Sequence, residues 1–314
     1  MLLLCLMNQK KLFEAEDIIK KNNLDKEELK NKKIKEEEKL RIKFFESKVF
    51  GKTKHRIYNQ SSSDLNKIKS ESVHLAVTSP PYFNAKDYSQ WDNIEDYLID
   101  MENVFKEVFR TLRPGRKFCL NISDIPEKGN FGVKWLSLSS ELLKISLNLG
   151  FELADRIFWF KTPLKGFNYG SLPYPPSPLI NDSIENIFIL RKPGKNDYSY
   201  VPKGKKEISK LPRDEYVEYT KQIWSIRRVR IKDNLEGHTA PFPKELPKRC
   251  IKLYSFVGDT ILDPFGGSGT TSIAAAELKR NSIYVDINKD FSKLALNNLK
   301  SIDAPHIEPE IIYE

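Results

Sequence analysis

Hydrophobic and polar positions change rhythm three times along the chain. Over residues 1 to about 48, "KKLFEAEDIIKKNN" and "DKEELKNKKIKEEEKLRIKFF" contain neither Gly nor Pro and place opposite charges four residues apart, which predicts helix. That helix is polar nearly all round and reads as an exposed appendage with no chemistry of its own. From about residue 55 strands and helices alternate. "HRIYNQ" and "SVHLAVTS" predict strands, "IEDYLIDMENVFKEVFRTL" an amphipathic helix, and "RPGRKFCLNISD" a turn feeding an apolar strand. The helix "WLSLSSELLKISLNLG", closed by its glycine, and the strand "FELADRIFWFK" follow. Alternation lapses over 163–236, a stretch rich in Pro, Gly, Lys and Tyr with one clear strand, "ENIFILRK". It resumes with the helix "KELPKRCIKLYS", the strand "TILDPF", a glycine turn, the helix "TTSIAAAELKR", the strand "SIYVDIN" and the helix "KDFSKLALNNLKSI". The pattern predicts an α/β fold with a mainly parallel central sheet, right-handed crossovers and helices on both faces, interrupted by an irregular insertion.

Composition adds size and charge. With 314 residues and 39% apolar positions the chain can fill a real core. "MLLLCLM" is too short to cross a bilayer and lacks a basic leader and a cleavage site, so it predicts a buried helix start in a cytoplasmic protein with no membrane partner. Cys5, Cys119 and Cys250 show neither C-x-x-C nor zinc spacing; each is expected to be a small buried hydrophobe, with no disulfide and no metal. The 52 basic residues exceed the 43 acidic ones, a formal +9. The excess concentrates between Arg191 and Asp233, where 13 Lys/Arg stand against 6 Asp/Glu beside Tyr198, Tyr200, Tyr216, Tyr219 and Trp224. Cations interleaved with aromatics suit a phosphate-tracking surface; a solvated lysine-rich loop is the plainer alternative.

Two strand ends carry candidate chemistry. "TSPPY", residues 78–82, follows an apolar strand, and two prolines there end the ladder and fix a rigid turn. "TILDPFGGSGTTSIAAAELKRNSIYVDI" is a strand, a glycine turn, a helix and a second strand ending in Asp286. Gly266, Gly267 and Gly269 allow close approach of a ligand, and an acid at the next strand end can accept both hydroxyls of a ribose. Thr270 stands where a phosphate-binding loop needs lysine, which argues against an NTPase. An ordinary strand-to-helix turn is the remaining alternative; Asp263 and Asp286, at the carboxyl ends of two predicted parallel strands, weigh against it.

"DPFGGSGTT" together with "TSPPY" resembles the paired signatures of the S-adenosylmethionine-dependent DNA amino-methyltransferases. Their order, with "SPPY" first, resembles the beta class. "LRPGRKFCLNISD", "IFWFK", "GSLPYPPSP", "ENIFILRK", "IWSI" and "HTAPFPKELPKRCIKLYS" fall in that class's order, so the likeness runs from about residue 55 to 300. The resemblance implies a Rossmann-like methyltransferase fold. It divides the chain into a helical extension (1–50), a catalytic half (51–162), a target-recognition insertion (163–236) and a cofactor-binding half (237–314).

It also implies site residues. Pro264, Phe265, Gly267, Ser268, Gly269 and Thr270 would line S-adenosylmethionine, with Asp286 on the ribose and Asp263 near the methionine end. His238, Thr239 and Phe242 would close over the methionine moiety. Relatives often carry Gly-Asp upstream of "SPPY"; here "QSSSD" stands instead, and Asp64 is the candidate substitute near the adenine. Ser79 and the Pro80 carbonyl would accept the amine hydrogens of a target base, with Pro80 and Pro81 holding the geometry. Tyr82 and Trp159, with Phe160 as the alternate, would stack on a base extruded from duplex DNA. Arg227, Arg228 and Arg230 are candidates for DNA contacts, with Asn168 and Asn181 equally eligible. A Ser at the first motif position resembles the N4-cytosine enzymes, so the expected reaction is methyl transfer to double-stranded DNA at N4 of cytosine, alongside a possible cognate restriction endonuclease. N6-adenine transfer by the same architecture and a non-catalytic nucleic-acid-binding module are the alternatives. No cysteine follows a proline, which sets carbon-5 methylation aside.

Overall fold

The computed structural model describes residues 52–83, 91–129, 132–162, 180, 182–199, 201–229 and 243–313, with positions 29, 32 and 36 ahead of them. The chain divides into two units, Met1–Gly51 and Lys52–Glu314. In the first, Leu29, Lys32 and Glu36 are helical and exposed; the rest of the predicted extension, Cys5 included, lies outside the described residues.

The second unit is built on a nine-stranded sheet among the described residues, in the order β11-β1-β10-β9-β2-β3-β7-β6-β8. The strands are β1 (Thr53–Asn59), β2 (Val73–Thr78), β3 (Leu112–Ile122), β6 (Glu152–Thr162), β7 (Ile184–Arg191), β8 (Ile223–Arg227), β9 (Thr260–Asp263), β10 (Asn281–Val285) and β11 (Ile307–Tyr313); β4 (Ile125–Gly129) and β5 (Gly132–Leu136) form a separate hairpin. All neighbours in the large sheet run parallel except β7, which is antiparallel to β3 and β6. Helices cover both faces, which lets a central strand such as β2 be apolar on both sides.

On one face, α1 (Ile94–Thr111) presents Tyr97, Met101, Phe105 and Val108 at helical spacing, and with Leu138 and Leu142 of α2 (Leu138–Asn148) it packs on Ala76, Phe118, Leu120 and Leu190. Asn93 caps α1 by accepting the Asp96 N–H. On the other face, Leu246 and Ile251 of α5 (Glu245–Tyr254) and Ala274 and Ala275 of α6 (Thr270–Glu277) pack on Leu75, Val77, Ile189 and Ile261. Cys119 and Cys250 are buried there as free thiols. The last helix, α7 (Lys289–Lys300), follows β10. No described helix is long and apolar enough to cross a membrane.

The strand order reverses between β9 and β2: β10 and β1 lie to one side, β3 and the rest to the other. Ligands of open α/β sheets bind outside the carboxyl ends of the strands at such a reversal.

Two expectations need correction here. The stretch 163–236 is not one insertion between two halves of a sheet. It supplies β7, which sits between β3 and β6, and β8, which extends the sheet beyond β6. In β8, Trp224 and Ile226 point inward while Ile223, Ser225 and Arg227 are exposed; five residues of period two are easily lost in polar surroundings.

The basic, aromatic stretch after β7 is also not a single surface. Its helices α3 (Lys203–Ile208) and α4 (Arg213–Tyr219) are anchored next to the amino ends of the strands: Lys205 pairs with Asp259 at 3.3 Å, the Ser209 hydroxyl accepts the Val257 N–H at 2.9 Å, and Glu215 pairs with Lys252 at 2.6 Å. Tyr198 lies under the Arg116 guanidinium at 4.8 Å, and Tyr219 and Trp224 are buried. These aromatics serve packing, so the greater part of the basic excess sits away from the carboxyl edge.

Candidate active site

β2 and β9 are parallel neighbours in register, Leu75 beside Ile261 and Ala76 beside Leu262. Ser79–Pro80–Pro81–Tyr82 therefore leaves the sheet beside the loop that begins at Pro264. The Thr78 hydroxyl closes the pair by donating to Asp263 Oδ1 at 2.6 Å. Pro80 is buried and Ser79 half-buried, as a rigid turn at a strand end requires.

The loop after β9 is fitted tightly to its surroundings. Gly267 (φ 51°) and Gly269 (φ 84°) occupy the left-handed region. Gly266 has no room for a side chain, because a Cβ there would stand 2.1 Å from the Tyr284 ring. The Tyr284 hydroxyl donates to the Gly267 carbonyl at 2.8 Å, and the Asn298 amide donates to the Ser268 carbonyl at 3.1 Å. Ser268 and Thr270 hydroxyls lie 3.2 Å apart at the start of α6. Asp286, just past β10, accepts the Gly267 N–H at 2.9 Å with one oxygen and the Asn288 N–H at 2.8 Å with the other. Burial raises its pKa against those two bonds. Phe265 is half-buried against the core on the α1 face.

Asp263 is 1% exposed, and burial pushes its carboxyl up to about 6 although the Thr78 hydroxyl and the Phe265 N–H stabilise the charge. The Thr271 hydroxyl stabilises that charge as well. A buried carboxylate with no ion pair among the described residues fits a ligand that brings a cation, and each Asp286 oxygen keeps a lone pair for a hydroxyl. The acids and the glycine loop thus fit the amino-acid and ribose ends of S-adenosylmethionine.

The "QSSSD" loop reaches the same place. The Ser62 hydroxyl donates to the Pro264 carbonyl, a contact no sequence signal announced. Asp64 is exposed, and its carboxylate accepts the Asn66 N–H at 3.0 Å.

Behind Tyr82 lies a polar cluster that sequence reasoning missed. The Tyr82 hydroxyl donates to Glu185 Oε2 at 2.9 Å, and Asn121 Nδ2 donates to the same oxygen at 2.7 Å and to Ser79 Oγ at 3.3 Å. Lys161 Nζ lies 3.4 Å from Glu185 Oε1 and 2.6 Å from Asp182. Burial, followed by the Glu185 charge, raises the Tyr82 pKa well above its ordinary value. Glu185 and Asn121 sit on strands whose apolar pattern hid them. The available signal was a charged residue opening an otherwise apolar strand.

Trp159 is corrected. It is 4% exposed, packed among Leu75, Val77, Ile157 and Trp224, and its indole N–H donates to the Ile226 carbonyl at 2.9 Å. Its ring faces are covered by core side chains and are not offered to a base. Arg227 ends β8 beside Thr162, the end of β6, on the carboxyl edge, and the Arg228 N–H just beyond it donates to the Thr162 carbonyl at 3.0 Å. Arg227 is exposed, whereas Nε and Nη2 of Arg228 are buried with no partner among the described residues. Arg230, His238, Thr239, Phe242, Asn168 and Asn181 lie outside the described residues.

The profile of the DNA methylase family matches residues 73–297. The Type II methyltransferase M.MjaI of Methanocaldococcus jannaschii is 33% identical over 77% of this chain and 90% of its own length. The Type II beta methyltransferase M.BslI of a Bacillus species is 33% identical over 76% of this chain, which spans 27% of that larger protein. The structure of TTHA0409 from Thermus thermophilus, solved with S-adenosyl-L-methionine, superposes with a TM-score of 0.68 at 31% identity, covering 82% of this chain and 98% of that one. With the family profile spanning both strand-end motifs and the sheet between them, the chain belongs to the DNA methylase family.

Proposed function

We propose that the protein transfers a methyl group from S-adenosylmethionine to the N4 amine of a cytosine extruded from duplex DNA, as the modification arm of a restriction–modification pair. The observation that carries this reading is the hydrogen bond between Thr78 and Asp263, which holds the Ser-Pro-Pro-Tyr turn against the glycine loop. S-adenosylmethionine supplies an electrophilic methyl group when bound. Asp286 would hold the ribose hydroxyls, and Asp263 would balance the charge at the methionine end. The serine at position 79 supports cytosine as the target.

An exocyclic amine is a weak nucleophile because its lone pair is delocalised into the ring. Ser79 Oγ and the Pro80 carbonyl accept its hydrogens and favour the pyramidal form, at a place fixed by two prolines. Tyr82 has its hydroxyl held and part of its surface open, so its ring can face the base; a base–aromatic stack contributes about 1–3 kcal/mol. Arg227, exposed at the carboxyl end of β8, would meet phosphates on the same edge.

DNA from cells expressing the protein, digested with methylation-sensitive nucleases and sequenced for modified bases, tests the reading. N4-methylcytosine at a defined site supports it. N6-methyladenine would move the target to adenine, and unmodified DNA would favour a non-catalytic module.

A further inference from the structure

We infer that Glu185 is the terminal proton acceptor of the methyl transfer, reached from Ser79 through the Tyr82 hydroxyl. The inference rests on Ser79 meeting the amine, and it holds for either base.

The cluster fixes the direction of each hydrogen bond. Glu185 Oε2 is an acceptor, so the Tyr82 hydroxyl at 2.9 Å donates to it. Ser79, three residues before Tyr82, lies against that hydroxyl and favours its ionised form. Asn121 Nδ2 has only protons to offer; at 3.3 Å from Ser79 Oγ it occupies one serine lone pair and turns the serine proton away from itself. One lone pair of Ser79 remains for an amine hydrogen. Ser79 and Tyr82 thus stand between the reacting nitrogen and the 9% exposed Glu185 carboxylate.

Every charged or titratable group against Glu185 is accounted for among the described residues: Tyr82 beyond β2, Lys161 on β6 at 3.4 Å, and Asp182, which shares that lysine. Lys161 sets a cation beside the acid.

The step balances. The amine nitrogen forms its bond to the methyl carbon, the carbon–sulfur bond breaks, and its electron pair stays on sulfur, converting the sulfonium to a thioether. The surplus proton on nitrogen passes to Ser79 Oγ as the serine proton moves to Tyr82 and the tyrosine proton to Glu185. The products are a neutral methylated amine and a neutral Glu185 carboxyl, which returns its proton to water when the product leaves.

The test is single-turnover methyl transfer in H₂O and D₂O by the full chain and by Glu185→Gln and Tyr82→Phe. Both variants are expected to bind S-adenosylmethionine normally and to react about 100-fold more slowly. The wild type is expected to slow in D₂O with a curved dependence on deuterium fraction, and the variants to lose that curvature. A Glu185→Gln enzyme within about threefold of wild type, or a slow one that keeps the curved dependence, would overturn the inference. If Glu185→Gln fails to fold, judged by melting and cofactor binding, Tyr82→Phe decides alone by the same criteria. A wild type that transfers no methyl group would instead count against the proposed function.

Discussion

Thr78 and Asp263, 185 positions apart in sequence, share a hydrogen bond of 2.6 Å at the point where the sheet's strand order reverses. The Ser-Pro-Pro-Tyr turn and the glycine loop could each be an ordinary turn alone. Joined there, they form the two walls of one crevice.

Replacing Thr78 with Val keeps the shape of the strand but strips a donor from a buried carboxylate. The expected cost is about 1–3 kcal/mol. Thermal denaturation should show the loss, isothermal titration should show weaker cofactor binding, and Thr78→Ser should recover most of both. A Thr78→Val protein with unchanged melting and binding would separate the two walls energetically.

Burial holds Asp263 up at about 6, so below that pH it is largely neutral and offers no charge to a cationic ligand. A bound cation favours the ionised form, which links binding to proton release. Affinity for S-adenosylmethionine should therefore rise by up to about tenfold per pH unit between about pH 4 and 6 and level off above. Asp263→Asn should bind weakly with that dependence flattened. Equal steepness in the variant would assign the dependence to another group.

Gly266→Ala tests the fit of the loop. The added methyl would stand 2.1 Å from the Tyr284 ring, whose hydroxyl holds the Gly267 carbonyl. One of the two must move, and the loop is the less constrained. Cofactor binding is expected to fall by more than tenfold while far-ultraviolet dichroism stays near native; normal binding would show that the loop adapts.

Acid should weaken the fold through His55. It is buried between Ser282 Oγ at 2.8 Å and Thr53 Oγ1 at 3.0 Å, and burial lowers its pKa to about 4. The folded state resists protonation that the unfolded chain accepts near 6.5, so this contribution is complete above about pH 6.5 and is lost as pH falls toward 4, by up to about 1.4 kcal/mol per unit. Asp263, raised from its ordinary value, acts in the opposite sense between about 6 and 3.8, so the comparison requires a variant. Urea unfolding at about pH 7 and pH 5 should show a smaller loss in His55→Asn than in wild type.

The central architecture was legible because it rests on period and punctuation. Apolar strands at 73–78 and 260–263, the amphipathic helix 94–111 and the turn residues between them all read correctly from pattern. Trp159 misled because an aromatic near a motif reads the same whether it faces a ligand or the core. Its partners, Ile226 and Trp224, lie on β8, far later in the chain. Glu185 was invisible for the same reason: its importance lies in reaching Tyr82 across β3, a contact set by strand order. The basic stretch after β7 misled because charge counts carry no direction, and α3 and α4 fold back to the opposite edge.

The most direct test pairs methyl transfer with cofactor binding in Ser79→Ala and Gly267→Leu. The account predicts that Ser79→Ala binds S-adenosylmethionine like wild type yet transfers no methyl group to DNA, and that Gly267→Leu does neither. Undiminished turnover by Ser79→Ala would contradict it, because the crevice would then work without the group said to meet the amine.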